Sequence, residues 1–494
     1  MQQLISNPAK IFRHFGVQAL LAKQAKLSPL AYIHAGGACT PALNNSRKLI
    51  FSIVLGLSCA WASTVQAGSG FETADASREA YSRINPDASP EQLAEAFRGR
   101  GVFRQSWVIA PAKDIETAGL GPLYNQLSCL SCHPKNGRGQ PPATPQQAMR
   151  SMLIRLSLPG QDPHGGPLPH PVYGGQLNEQ GIPGVPGEGM VSVDYREHKV
   201  TLADGETVAL RTPSYRFAEL QYGPLPDGIQ FSPRVGPPVF GLGLLEAVDG
   251  QTILQLAEKG KQQGVHGHPN IVWDDERQRN AIGRFGLKAN VATLKQQIAG
   301  AFIGDMGITS SLHPEENCTG IQTACKQTPS ARQPELDDAQ LKSVLLYLRL
   351  LQVPARRNTG DPAVRQGERL FDALGCTACH TPALTTGEFP ELPPLAKQTI
   401  HPYTDLLVHD MGEGLEDRRP DFQAGGREWR TPPLWGIGLI ERINEHSYFL
   451  HDGRARNLTE AVLWHGGEAL PSKQRFAGLS ADERLAVIRF LESL

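Results

Sequence analysis

The sequence lacks an excess of charge of either sign: 48 Lys and Arg stand against 49 Asp and Glu, a formal net charge of −1. That balance hides an asymmetry. Residues 1–67 carry six basic side chains (Lys10, Arg13, Lys23, Lys26, Arg47, Lys48) and no acidic one, which leaves 42 basic against 49 acidic residues in the rest. A mildly acidic body gives nucleic acid and anionic membranes nothing to hold, so no nucleic-acid partner is expected. An apolar run of bilayer length is also missing. The best candidate, Leu49 to Ala62, falls short of the roughly 20 residues a spanning helix needs, so no stable membrane span is expected in the mature chain. Methionine is scarce, with five residues beyond Met1, and each can be weighed individually.

What is present begins with a leader. Arg47-Lys48 precedes the apolar run, and small residues follow it to Val65-Gln66-Ala67 before Gly68. This charged, hydrophobic, A-x-A-like order predicts a secretory signal and a periplasmic mature protein. The 46 residues before Arg47 exceed an ordinary signal's charged region and suggest a start codon downstream of Met1; they are set aside from the fold.

Eight cysteines are present, and Cys39 and Cys59 fall in the leader. Four of the remaining six form two copies of C-x-x-C-H: Cys129, Cys132 and His133, then Cys376, Cys379 and His380. This pentapeptide is the signature of c-type haem attachment. Two thiols three positions apart can add to the two vinyl groups of one porphyrin, and the next residue, His133 or His380, offers its imidazole to the iron. A redox dithiol needs no following histidine, and a shared zinc site would have to join pairs 247 residues apart in sequence. Two covalently bound c-type haems are therefore the expected cofactors. Cys318 and Cys325, seven apart in a polar loop, predict a disulfide in an oxidising compartment. The alternative is a working thiol pair, for which no basic residue lies between them.

Internal similarity suggests two units. Leu336 to Leu350 parallels Leu479 to Leu494, each an amphipathic helix, with Asp337 and Ser480 as N-caps. Pro237 to Leu244 echoes Pro432 to Leu439, and Asp305-Met306-Gly307 recurs as Asp410-Met411-Gly412, although in the opposite order relative to the Pro-Pro element. A helix from Ala363 to Leu374 leads into the second haem motif, a Gly/Pro-rich segment from Pro134 to Gly187 reads as wrapping loop, and Val191 to Leu210 reads as a hairpin. The expectation is a mainly α fold of two cytochrome c-like haem domains, with long loop-rich insertions and a little β structure in the first. The expected divisions are 1–67 (leader and signal peptide), 68–358 (first haem domain) and 359–494 (second haem domain).

For the sixth iron ligands, Met306 and Met411 lead because both lie in Asp-Met-Gly, with Met190 in reserve. His409, His266 and His268 are histidine alternatives, while Tyr448, His451, Arg454 and Arg456 could line the second pocket or be solvated. His266, His268 and Glu246 are acid/base candidates, and the catalytic residues stay unassigned.

These motifs resemble the di-haem oxidoreductases, a peroxidase-like family also called thiol oxidoreductase-like proteins. The resemblance runs over roughly residues 95–494. It rests on Gly121 to Asn125, Gly137-Arg138-Gly139, Gly236 to Val248, Gly283 to Gly286, Asp305 to Thr309 and Trp429 to Gly436, in that order. More remotely, Arg430-Thr431-Pro432, Phe449 to Arg454 and Ala461-Val462 are similar to bacterial di-haem cytochrome c peroxidases. Those relatives imply one high-potential haem that takes in electrons and one that meets peroxide. They also imply a calcium ion between domains, for which the sequence shows no clear loop. The resemblance thus implies an oxidoreductase with a redox partner protein or small electron donor on one side and a small oxidant such as peroxide on the other. The alternative is a pure electron-transfer cytochrome with both haems six-coordinate. Haem-based sensing would need an output domain that the chain lacks, and thiol oxidation would have only Cys318 and Cys325 to work with.

Overall fold

The computed structural model describes residues 70–329 and 332–494. The expected leader and signal peptide, residues 1–67, lie outside the described residues.

Two helix crossings carry the architecture. Helix α1 (Pro90–Arg104) packs across α2 (Asp338–Arg349), and α3 (Pro362–Ala373) packs across α4 (Ala481–Ser493). Their starts are written into the sequence. Ser89 and Gln92 cap α1, Asp337 and Gln340 cap α2, and Ser480 and Glu483 cap α4, each through a reciprocal capping box. Asp361 caps α3 ahead of Pro362 at its first position. Each crossing needs a glycine. A Cβ on Gly99 would strike the Ser343 carbonyl, and one on Gly367 would strike the Ala486 carbonyl, so only glycine lets the backbones approach so closely. One turn on from each glycine, an aromatic ring fills the crossing. Phe103 meets Tyr347 at 5.7 Å and His133 at 6.5 Å, while Phe371 meets Phe490 at 5.1 Å and His380 at 6.1 Å.

The Pro-Pro elements are equivalent as well. Gly241 and Gly436 both take positive φ (70° and 73°) and donate to the carbonyls of Leu351 and Leu494, just past α2 and α4. The Asp-Met-Gly pair is not equivalent. Asp305-Met306 closes a helix (Leu294–Met306) capped by Gly307 at φ 63°, whereas Asp410 ends a strand (Val408–Asp410). Their reversed order relative to the Pro-Pro element therefore needs no rearrangement, since the tripeptide recurs in unrelated settings.

The expectation of a mainly α fold is overturned: the chain is 31% helix and 20% strand, with twelve α-helices and several small sheets among the described residues. Strand β1 (Met152–Gln161) pairs antiparallel with β4 (Gln230–Val235), and β2 (Met190–Thr201) forms a long hairpin with β3 (Thr207–Ala218). β1 lies inside the segment read as wrapping loop. Met152, Ile154 and Leu156 alternate into a second core with Val191, Val193 and Val235, a period-2 pattern hidden among glycines and prolines. The main core gathers the side chains of both helix crossings into one buried cluster. Among the described residues no helix is long and apolar enough to cross a membrane.

Candidate functional site

Both Cys-x-x-Cys-His turns open onto one cavity of about 690 Å³. Cys129–Cys132 forms a single helical turn, and the His133 backbone N–H donates to the Cys129 carbonyl at 2.9 Å. Cys376–Ala378 forms a 3₁₀ turn with the same closure, from the His380 N–H to the Cys376 carbonyl at 2.9 Å. The rings are fixed alike. His133 Nδ1 meets the Pro237 carbonyl at 2.7 Å, and His380 Nδ1 meets the Tyr403 carbonyl at 2.9 Å. A carbonyl can only accept, so Nδ1 carries the proton and Nε2 keeps its lone pair, the arrangement of metal-ligating histidines. Burial pushes both imidazoles toward the neutral form, His380 to about 4.

The four motif thiols are unbridged. Burial pushes Cys129 and Cys376 up to about 12 and raises Cys132 too, with the Asp305 charge adding to the effect at the first turn. A working dithiol needs the opposite shift. Among the described residues, the one group placed to hold an ion is Cys379, Asp405 and His409. It does not join the two cysteine pairs, so a shared zinc is excluded there, and its thiol is unlike the all-oxygen set of a calcium site.

The cavity wall fits an anionic, planar group. Arg138, Arg155, Arg234 and Arg430 line it, and burial lowers Arg138 and Arg430 to about 10. The Arg155 side chain makes no hydrogen bond among the described residues, and burial, partly offset by Asp305, depresses its pKa. The half-buried guanidinium faces the cavity, and porphyrin carboxylates are groups that would pair with it.

Met306, 2% exposed, and Met411 both line the cavity, whereas Met190 is 46% exposed on β2 and does not. The histidine alternatives separate cleanly. His266 is exposed, and His268 has both ring nitrogens engaged, by the Pro269 carbonyl and Glu428; neither lines the cavity. His409 does line it, but its Nε2 meets Asp405 at 2.8 Å and its Nδ1 meets Glu468 at 3.1 Å. Burial opposes charge on that ring, yet Asp405, Cys379 and Glu468 outweigh it and hold the proton up to about 12. A ring with both nitrogens committed to carboxylates has none to give to iron. Glu246 accepts from the Leu294 N–H and pairs with Arg349 at 2.7 Å, away from the cavity. None of the three expected acid/base groups faces the cavity.

His451 lies in the wall, stacked on Trp429 at 3.8 Å, and burial lowers its pKa to about 4. Tyr448 is set back, its carbonyl accepting from Arg138 and its ring under Arg211. Arg454 is no solvated charge, since it closes on the buried Asp452 at 2.8 Å; Arg456 is partly exposed and pairs with Glu197 and Glu460. Cys318 and Cys325 form a disulfide, with Cα atoms 5.7 Å apart.

Three cavity residues escaped the sequence reading: Arg155, Asp305 as a titratable group, and His465. The first hides in the unrecognised strand β1. Asp305 was legible only as the neighbour of Met306. His465 carried a weak signal, standing four residues after Ala461 at the end of an amphipathic helix.

Two histidines with bare Nε2 atoms, each behind a cysteine pair and facing one arginine-lined cavity, define a two-centre redox protein. The chain belongs to the di-haem oxidoreductase family: the family model described as "Di-haem oxidoreductase, putative peroxidase" matches residues 62–494. Among curated proteins none matches the chain.

Proposed function

We propose that this is an exported, periplasmic c-type oxidoreductase of two haem units, 68–358 and 359–494, that reduces a small oxidant such as peroxide with electrons from a redox partner protein or small donor. Cys129 and Cys132 would hold one haem through thioethers and Cys376 and Cys379 the other, and His133 and His380 would each offer Nε2 to an iron. The observation that carries this reading is the shared fixation of His133 and His380, Nδ1 on a carbonyl and Nε2 free. When bound, the haems supply one-electron redox chemistry and, at an open iron, a place for the oxidant.

The protein's own part in peroxide cleavage is to move a proton from one oxygen to the other. We assign that role to Asp305, in the cavity wall. Burial raises its pKa, Arg155 and the Gln176 amide pull it down, and Gln176 Nε2 donates to Oδ1 at 3.0 Å. The carboxyl is thereby oriented, with its second oxygen left to carry the proton. Arg155 adds positive charge at the same wall, where Arg234 is paired with Asp421.

A second reading, a carrier with both irons six-coordinate, is favoured by the buried thioether of Met306 beside Asp305. The test has two stages. Mature protein made with the haem-attachment machinery should begin after Ala67, carry the mass of two haems and turn over peroxide with a reduced donor. Absence of the added mass sinks the proposal, and two haems that ignore both peroxide and cyanide establish the carrier.

A further inference from the structure

We infer that His465 is the second histidine ligand of the haem held by His380, its Nε2 binding the iron. The inference rests on the haem reading above and adds to it a residue that no motif marks.

Five histidines line the cavity: His133, His380, His409, His451 and His465. His465 repeats the pattern of the two motif histidines. Its Nδ1 meets the Ala461 carbonyl at 2.8 Å, one turn back along its own helix, so the proton is fixed on Nδ1 and the Nε2 lone pair is bare. No hydrogen bond engages that Nε2 among the described residues. His380 and His465 line the same cavity, and Glu468, three residues beyond His465, meets His409 Nδ1, which lies 3.7 Å from Cys379 Sγ, so the loop of His465 sits beside the second cysteine turn. His409 is excluded by its two carboxylates. His451 lacks, among the described residues, the carbonyl on Nδ1 that fixes the rings of His133, His380 and His465, and it is stacked flat on Trp429 at 3.8 Å.

The seat of His465 is rigid. It ends the Leu458–Trp464 helix, which Asn457 caps by accepting the Glu460 N–H at 2.8 Å. Trp464, the preceding residue, is held under Arg454 at 4.7 Å. The next two residues interlock with the competing loop: a Cβ on Gly466 would come 2.8 Å from the Met411 carbonyl, and one on Gly467 would strike the Asp410 carbonyl. Met411 and His465 are thus offered from one locked surface to the same end of the cavity. A pre-oriented imidazole loses little freedom on binding, whereas a methionine must first order three rotatable bonds.

The test uses full-length mature holoprotein with Met411→Leu, His465→Ala and His465→Met, each checked by intact mass for two haems. Ferric wild type should show a bis-imidazole low-spin signal by low-temperature spin resonance. His465→Ala should convert one haem of the two, half the total, to high spin, and added imidazole should restore it. His465→Met should replace that signal with a thioether-to-iron band, and Met411→Leu should leave the wild-type signal unchanged. The inference is overturned if His465→Ala leaves both spectra intact, or if Met411→Leu produces the high-spin haem instead. Missing haem mass in the wild type would mark failure of the underlying reading, whereas two attached haems with the wrong ligand response would mark failure of this one alone.

Discussion

Two glycines two residues apart on α1 should respond to the same substitution with opposite signs. At Gly99 an added methyl group meets the Ser343 carbonyl of α2, more than an ångström inside the roughly 3.3 Å at which carbon and oxygen sit comfortably. Both partners are helix backbone, so neither can swing aside, and the crossing must open. Opening it loosens the buried side chains of Val344, Tyr347 and Leu348 on α2. Overpacking of this kind costs about 1–3 kcal/mol, and the absence of any movable side chain places Gly99→Ala at the upper end. Gly101 is exposed, and its added Cβ would meet nothing within 4 Å. There the ordinary helix preference acts alone, and Gly101→Ala should stabilise by roughly 0.5–1 kcal/mol. Gly367→Ala, against the Ala486 carbonyl in the second crossing, should repeat the Gly99 result. Denaturant unfolding of the three haem-loaded variants, followed by far-UV dichroism, measures all of this. Equal midpoints for Gly99→Ala and Gly101→Ala would falsify the claim that close backbone approach holds the crossing.

Other outcomes follow from the same structure. Replacing Cys318 and Cys325 together by Ser opens a short loop and should cost about 2–3 kcal/mol by the chain-entropy estimate; peroxide turnover should be unchanged, and a loss at constant haem content would revive the thiol reading. Asp305→Asn keeps the shape but cannot carry a proton, so peroxide turnover should fall by roughly 10²–10⁴-fold with haem mass intact; unaltered turnover removes Asp305 from the chemistry. Acid stability is set by Asp421 and Asp452. Burial opposes their ionisation, but Arg234, Arg419 and Lys288 around Asp421, and Arg454 and His451 around Asp452, hold both pKa values below the ordinary range. A carboxylate depressed on folding lends its stability above its unfolded pKa of about 3.9 and loses it as pH falls through the folded value. Unfolding midpoints should therefore drop below about pH 4. Asp421→Asn should cost about 3–5 kcal/mol at pH 7 by stranding buried cations, and should flatten the acid limb; an unchanged limb refutes the assignment.

Legibility divided along physical lines. Capping boxes and turn glycines are local chemistry, and Asp337, Ser480 and the Pro-Pro elements could be read directly and lie where the reading put them. α1 went unread because its apolar positions are interrupted by Gly99 and Gly101, and the close approach that explains Gly99 is visible only with α2 in place. β1 is hidden because glycines and prolines surround its period-2 pattern of Met152, Ile154 and Leu156, and the strand content of the fold is hidden with it. Motif spacing gave the cysteines and their histidines. No motif tells His409, inside a short strand, from His465, just past a helix, as a candidate ligand. The difference between them is what occupies Nδ1, a carboxylate 59 residues away for one and a carbonyl four residues back for the other.

The duplicated frame also explains why its two sites differ. Each crossing sets an aromatic ring beside its motif histidine, Phe103 beside His133 and Phe371 beside His380, so proximal support is common to both. Beyond the repeated Pro-Pro elements and helices, the rest of each wall comes from chain outside the repeat. At the first turn the wall includes Leu153 and Arg155 of β1, Arg234 and Val235 of β4, and Asp305 at the end of its helix. At the second turn it includes the loops of His409 and Met411 and of His465 and Glu468. One end of the cavity therefore sets Arg155 and the Met306 thioether beside a carboxyl whose pKa burial has raised, and the other holds Met411 and His465. A charged wall that can carry a proton suits an iron that meets an oxidant, and a ligating wall suits an iron that only exchanges electrons. The inserted sheet that defeated a mainly α expectation supplies Leu153, Arg155, Arg234 and Val235 to the first wall.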